Sequence, residues 1–252
     1  MTATTSRPRS PFGAMVGYTL RACFPAKRRW GLLLPCLGAL LFGLLAHAES
    51  TDPLTERFAA VASFGLFGLV LPIACLVIGD AVVGAEVRAG TMPFTWLSPV
   101  PFWQIVGARW LAGCIVGWAT IVPSFMLAAI VAGVPEDMGA VAVGAVFGVA
   151  AYIALFALIG CATRRAAVWS MAVVFLGERL LGTALSGIAQ LSPSWLSRSV
   201  FADLATNVPS RFVREGIPQG SAAVVRLVIL TAVFLVLAAW RLGHLHLSGS
   251  SD

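Results

Sequence analysis

Residues 84–109 read GAEVRAGTMPFTWLSPVPFWQIVGAR and separate two long apolar runs of the chain. Thr91 is suited to the position just before a helix, because its hydroxyl can accept a hydrogen bond from a free backbone N–H of the next turn. Pro93 fits the first turn of that helix, where no backbone donor is needed, and Pro99 would end the helix soon afterwards. The stretch therefore predicts a short helix over about residues 92–97, lying across the mouth of two membrane helices.

The same stretch is rich in large apolar side chains, namely Phe94, Trp96, Leu97, Phe102 and Trp103. A disordered connecting loop is the alternative interpretation, but exposing so many apolar groups to water is unfavourable. We expect lipid headgroups or another protein to cover them.

The composition indicates a membrane protein. Of the 252 residues, 59% are hydrophobic and 11% are charged, whereas about a quarter of the residues of a soluble protein are charged. Such a chain keeps its apolar surface from water only in a lipid bilayer. The net charge of +6 could suit nucleic acid, but the basic residues cluster at the ends of apolar runs, so no nucleic-acid partner is expected.

The apolar runs predict an all-α polytopic membrane protein with six transmembrane helices that cross a hydrocarbon core of about 30 Å. The expected spans are residues 30–48, 58–79, 110–134, 138–162, 166–191 and 221–242. Pro72 and Pro123 are expected to kink the second and third spans. Small residues four apart let membrane helices approach closely. Two such pairs occur, Gly113 with Gly117 and Gly144 with Gly148.

The remaining segments complete the expected layout. Residues 1–29 would be a basic cytoplasmic tail that includes an amphipathic helix on the membrane surface from Phe12 to Phe24, with an unstructured tail as the alternative. Residues 30–242 would be the transmembrane domain, with a long loop at 80–109, and residues 243–252 a second cytoplasmic tail. The polar stretch 192–220 is expected to form short helices at the membrane surface.

The first span also imitates a secretory signal peptide. Lys27-Arg28-Arg29 precedes the apolar run, and Ala46-His47-Ala48 follows it as a small-x-small sequence. Because the region before the run is long and the run itself nearly spans a membrane, we expect a retained anchor.

The basic residues predict the orientation, because arginine and lysine accumulate in cytoplasmic loops. With the N-terminus inside, the cytoplasmic side holds Arg7, Arg9, Arg21, Lys27, Arg28, Arg29, Arg88, Arg109, Arg164, Arg165 and Arg241, and the outer side holds Arg57, Arg198, Arg211 and Arg214. Both termini and the stretch 84–109 are therefore expected to face the cytoplasm. The protein itself is expected in the inner cell membrane.

The order of residues in that stretch resembles ABC-2 type transporter permeases, the membrane subunits of ABC exporters. An acidic residue, Gly-Thr, an apolar stretch ending in Leu-x-Pro, and a basic residue that opens the next span carry the resemblance. They are Glu86, Gly90, Thr91, Leu97, Pro99 and Arg109. The resemblance implies that this segment is a coupling helix, which docks into a groove on the ATP-hydrolysing subunit. Pro93 departs from the family, which more often has a helix former there.

This resemblance implies an ATP-driven exporter of a hydrophobic or amphiphilic compound, such as a drug, antibiotic, lipid or peptide. The chain would pair with a second permease, identical or related, and with separate ATPase subunits that carry ATP and Mg²⁺. The coupling residues would be those six together with Phe94 and Trp96. A stand-alone secondary transporter that uses Glu178 as a proton site, or a non-transporting membrane subunit, is the alternative.

Glu178 and Arg179 interrupt the fifth apolar run at a depth of roughly 20 Å from Arg165, at 1.5 Å per residue. Ionisable residues at such depth usually face a bundle interior or a wet cavity. We expect the pair to line the cargo path or to contact the second permease, with Gly182 admitting a close neighbour beside Glu178. The alternative is that the span ends near Gly177 and the pair marks the outer interface.

Enzymatic motifs are not found in the sequence. No G-x-x-x-x-G-K-[ST] loop or H-E-x-x-H pattern occurs, so neither nucleotide hydrolysis nor a catalytic metal is expected in this chain. The cysteines lie in or beside apolar runs without C-x-x-C spacing, which favours packed thiols over disulfides or zinc. His244 and His246 are expected to belong to a solvated tail rather than a metal site.

Overall fold

The computed structural model describes residues 11–23, 31, 33–48, 53–84, 100–163, 165–182, 186–206, 208 and 217–244. Within these residues every regular element is a helix, which confirms the all-α prediction. Four of the described helices are long and apolar enough to cross a membrane: Leu54–Val82, Phe102–Ala132, Pro135–Ala162 and Gly220–Gly243. The chain is therefore suited to a membrane-embedded protein.

The helices are named here in chain order. They are α1 (Pro11–Cys23), α2 (Leu34–Ala48), α3 (Leu54–Val61, π-helical Ala62–Val70, Leu71–Gly79 and π-helical Asp80–Gly84), α4 (Phe102–Ala132), α5 (Met138–Ala162), α6 (Ala166–Ala172 and π-helical Val173–Leu181), α7 (Ser186–Ala189), α8 (Pro193–Leu204) and α9 (Gly220–Gly243). A short 3₁₀ turn, Pro135–Asp137, joins α4 to α5.

One end of the bundle, called here the Asp80 end, is defined by contacts of α3. Asp80 and Ala166, the first residue of α6, line the same small cavity. A methyl group added to Gly113 of α4 would lie 3.1 Å from Val82, so the first turns of α4 also belong to this end. Phe102 then lies beside Gly243, which brings the last turn of α9 there too.

The opposite end, called here the Asp137 end, gathers the other helix termini. Gly133, just after α4, faces His47 of α2 and Leu54 of α3. The backbone N–H of Thr206, just after α8, donates to Asp137 Oδ1 at 2.7 Å. The helices α3, α4 and α5 therefore alternate in direction between the two ends, and α9 finishes at the Asp80 end, as α5 does.

The fifth passage, meaning α6 together with α8, differs from the single span expected at residues 166–191. It starts beside Asp80 and finishes beside Asp137, but between Gly182 and Pro193 the described residues form only the single turn α7. Proline lacks the N–H that a continuous helix would need and fits the first turn of a new one. Over residues 192–220 helices at the membrane surface were expected; α8 packs on glycines of α5 and much of it is buried, and its place relative to a membrane stays a prediction.

Close approach of helices at glycine organises the packing around α5. A methyl group at Gly117 of α4 would lie 2.6 Å from Val149, and one at Gly148 of α5 would lie 2.6 Å from Ser197 Oγ of α8. The two predicted small-residue pairs therefore do lie at helix–helix contacts. Tyr152 and Ile153, at the centre of α5, are fully buried.

Some expected boundaries differ from the observed ones. The fourth span begins and ends as predicted, and α9 agrees within one residue at each end. The segment between the helices is shorter than the loop expected at 80–109, because α3 continues to Gly84 and α4 begins at Phe102, just after the extended Pro101. The helix expected over 92–97 lies outside the described residues.

Two prolines of the predicted spans lie within helices. Pro72 follows directly on the π-helical stretch of α3, and the wider turns there accommodate a residue that cannot donate to the preceding turn. Pro123 lies inside α4, which continues as one helix to Ala132.

The two N-terminal helices match the prediction in part. α1 forms where a helix was expected, and Phe12 packs near Gly107 of α4; its position on a membrane surface stays a prediction. α2 has 15 residues, short of the roughly 20 that cross a hydrocarbon core.

Candidate functional site

Glu178 is a buried acidic residue between three helices of the bundle. Its side chain is 5% exposed, and it lies in the π-helical part of α6, facing α5 and α8. The alternative that this residue marks a water-exposed outer interface therefore does not fit its burial. A buried carboxylate is costly unless hydrogen bonds satisfy it.

Hydroxyl groups from two neighbouring helices supply those hydrogen bonds. The Tyr152 hydroxyl of α5 donates to Glu178 Oε2, and Ser194 Oγ of α8 donates to the same oxygen at 2.8 Å. The Trp195 indole Nε1 donates to the backbone carbonyl of Glu178 at 3.4 Å. The three helices α5, α6 and α8 are thus tied together at one point.

The start of α8 has features that favour a nearby carboxylate. Ser192 caps the helix, with its Oγ accepting from the Trp195 backbone N–H at 3.4 Å, and Pro193 occupies the first turn. Ser192 Oγ and Ser194 Oγ are 2.9 Å apart, so the capping hydroxyl is connected to the one that contacts Glu178. A helix N-terminus carries partial positive charge, which favours a nearby carboxylate.

Tyr152 is fixed by packing as well as by its hydrogen bond. Its ring is fully buried and stacks on Phe156, one turn further along α5, with the ring centroids 5.6 Å apart. The phenol group therefore has little freedom to turn away from Glu178.

The arrangement offers acid–base chemistry. A carboxyl group and three hydroxyl groups can hold and pass a proton. In the described part of the chain, no group of three His, Cys, Asp or Glu side chains is placed to hold a metal ion.

Among the sequence-predicted site residues, the structure describes the side chains of Glu178 and Arg109. Arg109 lies in the second turn of α4 and is 4% exposed. Arg179 has helical backbone in α6, and its side chain lies outside the described residues. The other predicted coupling residues also lie outside them: Glu86, Gly90, Thr91, Phe94, Trp96, Leu97 and Pro99.

Sequence reasoning missed the partners of Glu178. Ser192 followed by Pro193 is a typical helix-start signal, but nothing in the sequence indicates that this start lies next to Glu178. Tyr152 is one of two tyrosines in the chain and lies in an otherwise apolar run, a weak signal for a buried polar contact. The expected close neighbour at Gly182 is Trp195, whose Nε1 would lie 3.1 Å from an added methyl group.

A second feature is an apolar groove of about 460 Å³ between α4, α5 and α9. Both of its tryptophans turn their indole N–H groups to backbone carbonyls of α5, Trp110 to Ala150 and Trp118 to Val146, each at 3.0 Å. With those donors satisfied, the groove presents hydrocarbon. Its lining residues are Trp110, Trp118, Val146, Phe147, Ala150, Val228, Thr231, Ala232 and Leu235.

Together these features are those of a helical, membrane-embedded protein with a buried acidic site and an apolar side groove. Searches against protein-family models and against curated proteins find no match for this chain.

Proposed function

We propose that the chain is the permease subunit of an ATP-driven exporter of the ABC-2 type. It would move a hydrophobic or amphiphilic compound, such as a drug, antibiotic, lipid or peptide, out across the cytoplasmic membrane. ATP and Mg²⁺ would bind to a separate ATPase partner, and a second permease, identical or related, would complete the transport path.

The observation that carries this proposal is the position of the two helix ends that flank residues 85–99. The last turns of α3 and the first turns of α4 both belong to the Asp80 end, so the predicted coupling segment leaves and re-enters the bundle at that end. α1 packs near Gly107 at the same end, and Arg165 immediately precedes α6 there. The positive-inside rule favours a cytoplasmic location for an end so rich in basic residues.

Six alternating passages would place both chain termini on that cytoplasmic side. The four helices of span length would be joined by α2 and the broken fifth passage to make these six. In membranes, irregular backbone is tolerated where protein buries it. Ala189 of α7 belongs to the same buried apolar cluster as Ala151 of α5, and Gln190 accepts from Arg226 of α9.

The interior position of Glu178 supports a role within one permease. Its hydrogen bonds go to α5 and α8 of its own chain, which favours the cargo-path hypothesis over direct contact with a second permease.

Replacing two large side chains of the predicted coupling helix with alanine tests the proposal. Large apolar side chains at the centre of an interface commonly cost more than about 1 kcal/mol when truncated. Trp96→Ala with Leu97→Ala should therefore release a co-expressed ATPase, or abolish cargo-stimulated ATP hydrolysis, while the permease stays in the membrane. Co-purification and ATPase assays on the same preparations measure both effects.

A matched control changes the same residue types on α9. Leu237 and Trp240 are 42% and 58% exposed, and Leu237→Ala with Trp240→Ala should leave ATPase binding intact. Equal retention of the ATPase together with equal cargo-stimulated ATP hydrolysis in the two double variants would refute the coupling assignment.

A stand-alone carrier with Glu178 as its proton site is the second candidate, and the burial of that carboxylate favours it. This candidate predicts transport that collapses with the proton gradient and continues without an ATPase. The ATP-driven exporter predicts the reverse.

A further inference from the structure

A chain of hydrogen bonds leads from Glu178 to the backbone of α8. Ser194 Oγ lies 2.8 Å from Glu178 Oε2, Ser192 Oγ lies 2.9 Å from Ser194 Oγ, and the Trp195 N–H points to Ser192 Oγ at 3.4 Å. The carboxyl group and the helix cap are therefore two hydroxyl groups apart, and both hydroxyls belong to buried residues.

With Glu178 ionised, the direction of every bond in this chain is fixed. A carboxylate only accepts, so Ser194 spends its one hydroxyl proton on Oε2. Ser192 must then donate to Ser194 Oγ, and the lone pairs of Ser192 remain available for the Trp195 N–H. The cap of α8 is complete in this state, and the negative charge beside the first turn adds favourable interaction with the helix dipole.

When Oε2 takes a proton from water and donates it to Ser194 Oγ, Tyr152 still donates to Oε2 and the direction of the chain toward Ser192 reverses. Ser194 accepts from the new O–H and turns its own proton to Ser192 Oγ. Ser192 then accepts from Ser194 as well as from Trp195, and its hydroxyl proton needs another acceptor. The first turn of α8 then loses the nearby negative charge, and its capping hydroxyl accepts two hydrogen bonds where it accepted one.

We propose that Glu178 is a reversible proton site whose occupancy is relayed through Ser194 and Ser192 to the start of α8. Protonation loosens the first turn of α8, and deprotonation tightens it. The proton is exchanged with water and no bond other than O–H forms or breaks. The relay does not require an ATPase partner. It gives proton binding at Glu178 a structural consequence within the fifth passage.

Opposing effects act on the two states of the site. Burial among apolar side chains disfavours the charged carboxylate, whereas two hydroxyl donors and a helix N-terminus favour it. Several titratable or charged residues lie near the site. They are Tyr152 of α5, Cys75 of α3 beside Tyr152, Arg198 of α8 over the Trp195 ring, and Arg226 of α9 beside Gln190. Arg179 is the next residue in the sequence.

Infrared difference spectroscopy on the full-length protein in nanodiscs tests the proton site. Stepping the pH between about 9 and about 4, a range in which shifted carboxyl groups titrate, should produce a protonated-carboxyl C=O band that ¹³C-glutamate labelling shifts. Glu178→Gln should remove this band, whereas Glu136→Gln, at an exposed turn residue, should leave it.

A second variant keeps the assignment testable where Glu178→Gln does not fold. Tyr152→Phe removes a hydrogen bond to the carboxyl group and should move the frequency of the same band. If no glutamate band that responds to either variant appears across this pH range, Glu178 is not a reversible proton site.

Backbone hydrogen exchange tests the relay. Peptides covering residues 193–196 should exchange on the order of fivefold faster in the wild-type protein at low pH, after correction for intrinsic chemical exchange, because the first turn loses the nearby charge and its capping hydroxyl accepts a second hydrogen bond. Ser194→Ala breaks the relay and keeps Glu178, so this pH-dependent excess should fall to the part that the charge on Glu178 causes directly, while the carboxyl band remains.

The control peptide comes from α5, which should show no such excess in either protein. An unchanged pH-dependent excess in Ser194→Ala would refute the relay, even if the carboxyl band confirms the proton site.

Discussion

The fourth and fifth passages lie side by side and solve different problems. α5 is one unbroken helix of 25 residues without a charged side chain, and its small residues admit neighbours from two directions. The fifth passage carries Glu178 and a proline, and it is divided into α6 and α8. Free backbone and charged groups need partners inside a membrane. The comparison shows that the uniform helix acts as the platform on which the irregular passage is held.

Enlarging the platform should have the greatest effect. In Gly148→Leu the new side chain would meet Ser197 Oγ and Leu71, which lie 2.6 and 2.7 Å from an added Cβ. We expect the free energy of unfolding to fall by about 3 kcal/mol or more, since overpacking a filled site commonly costs about 1–3 kcal/mol and can cost more. Thermal unfolding in detergent measures the loss.

Gly139, in the first turn of the same helix, provides the control. An added Cβ there meets nothing within 4 Å, so Gly139→Leu should unfold near the wild-type temperature. Similar unfolding of the two variants would mean that α8 is not held against α5 at Gly148.

Removing the polar contact between the two passages should have an intermediate effect. Tyr152→Phe keeps the ring and deletes the donor to Glu178, which should cost about 1–3 kcal/mol because a buried acceptor loses a partner. The other tyrosine, Tyr18, is 62% exposed on α1, so Tyr18→Phe should change the unfolding temperature little. If the two variants unfold alike, the hydroxyl of Tyr152 does not stabilise the junction.

The smallest effect is expected at the outer side of the interruption. Gln190 accepts from Arg226 Nη1 at 2.9 Å in an exposed contact. Gln190→Ala should cost at most about 0.5 kcal/mol, as for other exposed sites. A loss comparable with that of Tyr152→Phe would show that the turn α7 is held from α9 as firmly as from α5.

The sequence predicted the continuous passages well, because their apolar runs are long and bounded by clear breaks. The ends of α5 follow from Asp137 before it and Thr163 after it. The inward direction of Glu178 was expected because ionisable residues within a span usually face the bundle interior, and its side chain is buried. Local pattern is sufficient for these features.

The interruption and its partners could not be predicted in the same way. Ser192 and Pro193 mark a helix start, but only tertiary packing on Gly148 makes that start a buried one. The contact between Tyr152 and Glu178 joins residues on different helices, and no local pattern encodes it. The π-helical turns of α3 and α6 likewise have no composition that distinguishes them from α-helix.

The division of the fifth passage also affects how the protein can be made. A charged residue near the centre of a lone inserting helix costs about 2.5–3.5 kcal/mol, and this passage contains Glu178, Arg179 and Arg198. In the proposed arrangement α6 and α8 are therefore poor candidates for insertion on their own hydrophobicity. α5 precedes them in the chain and brings the hydroxyl of Tyr152 and the glycine surface for α8. During synthesis it would serve as the template on which the next passage enters the membrane.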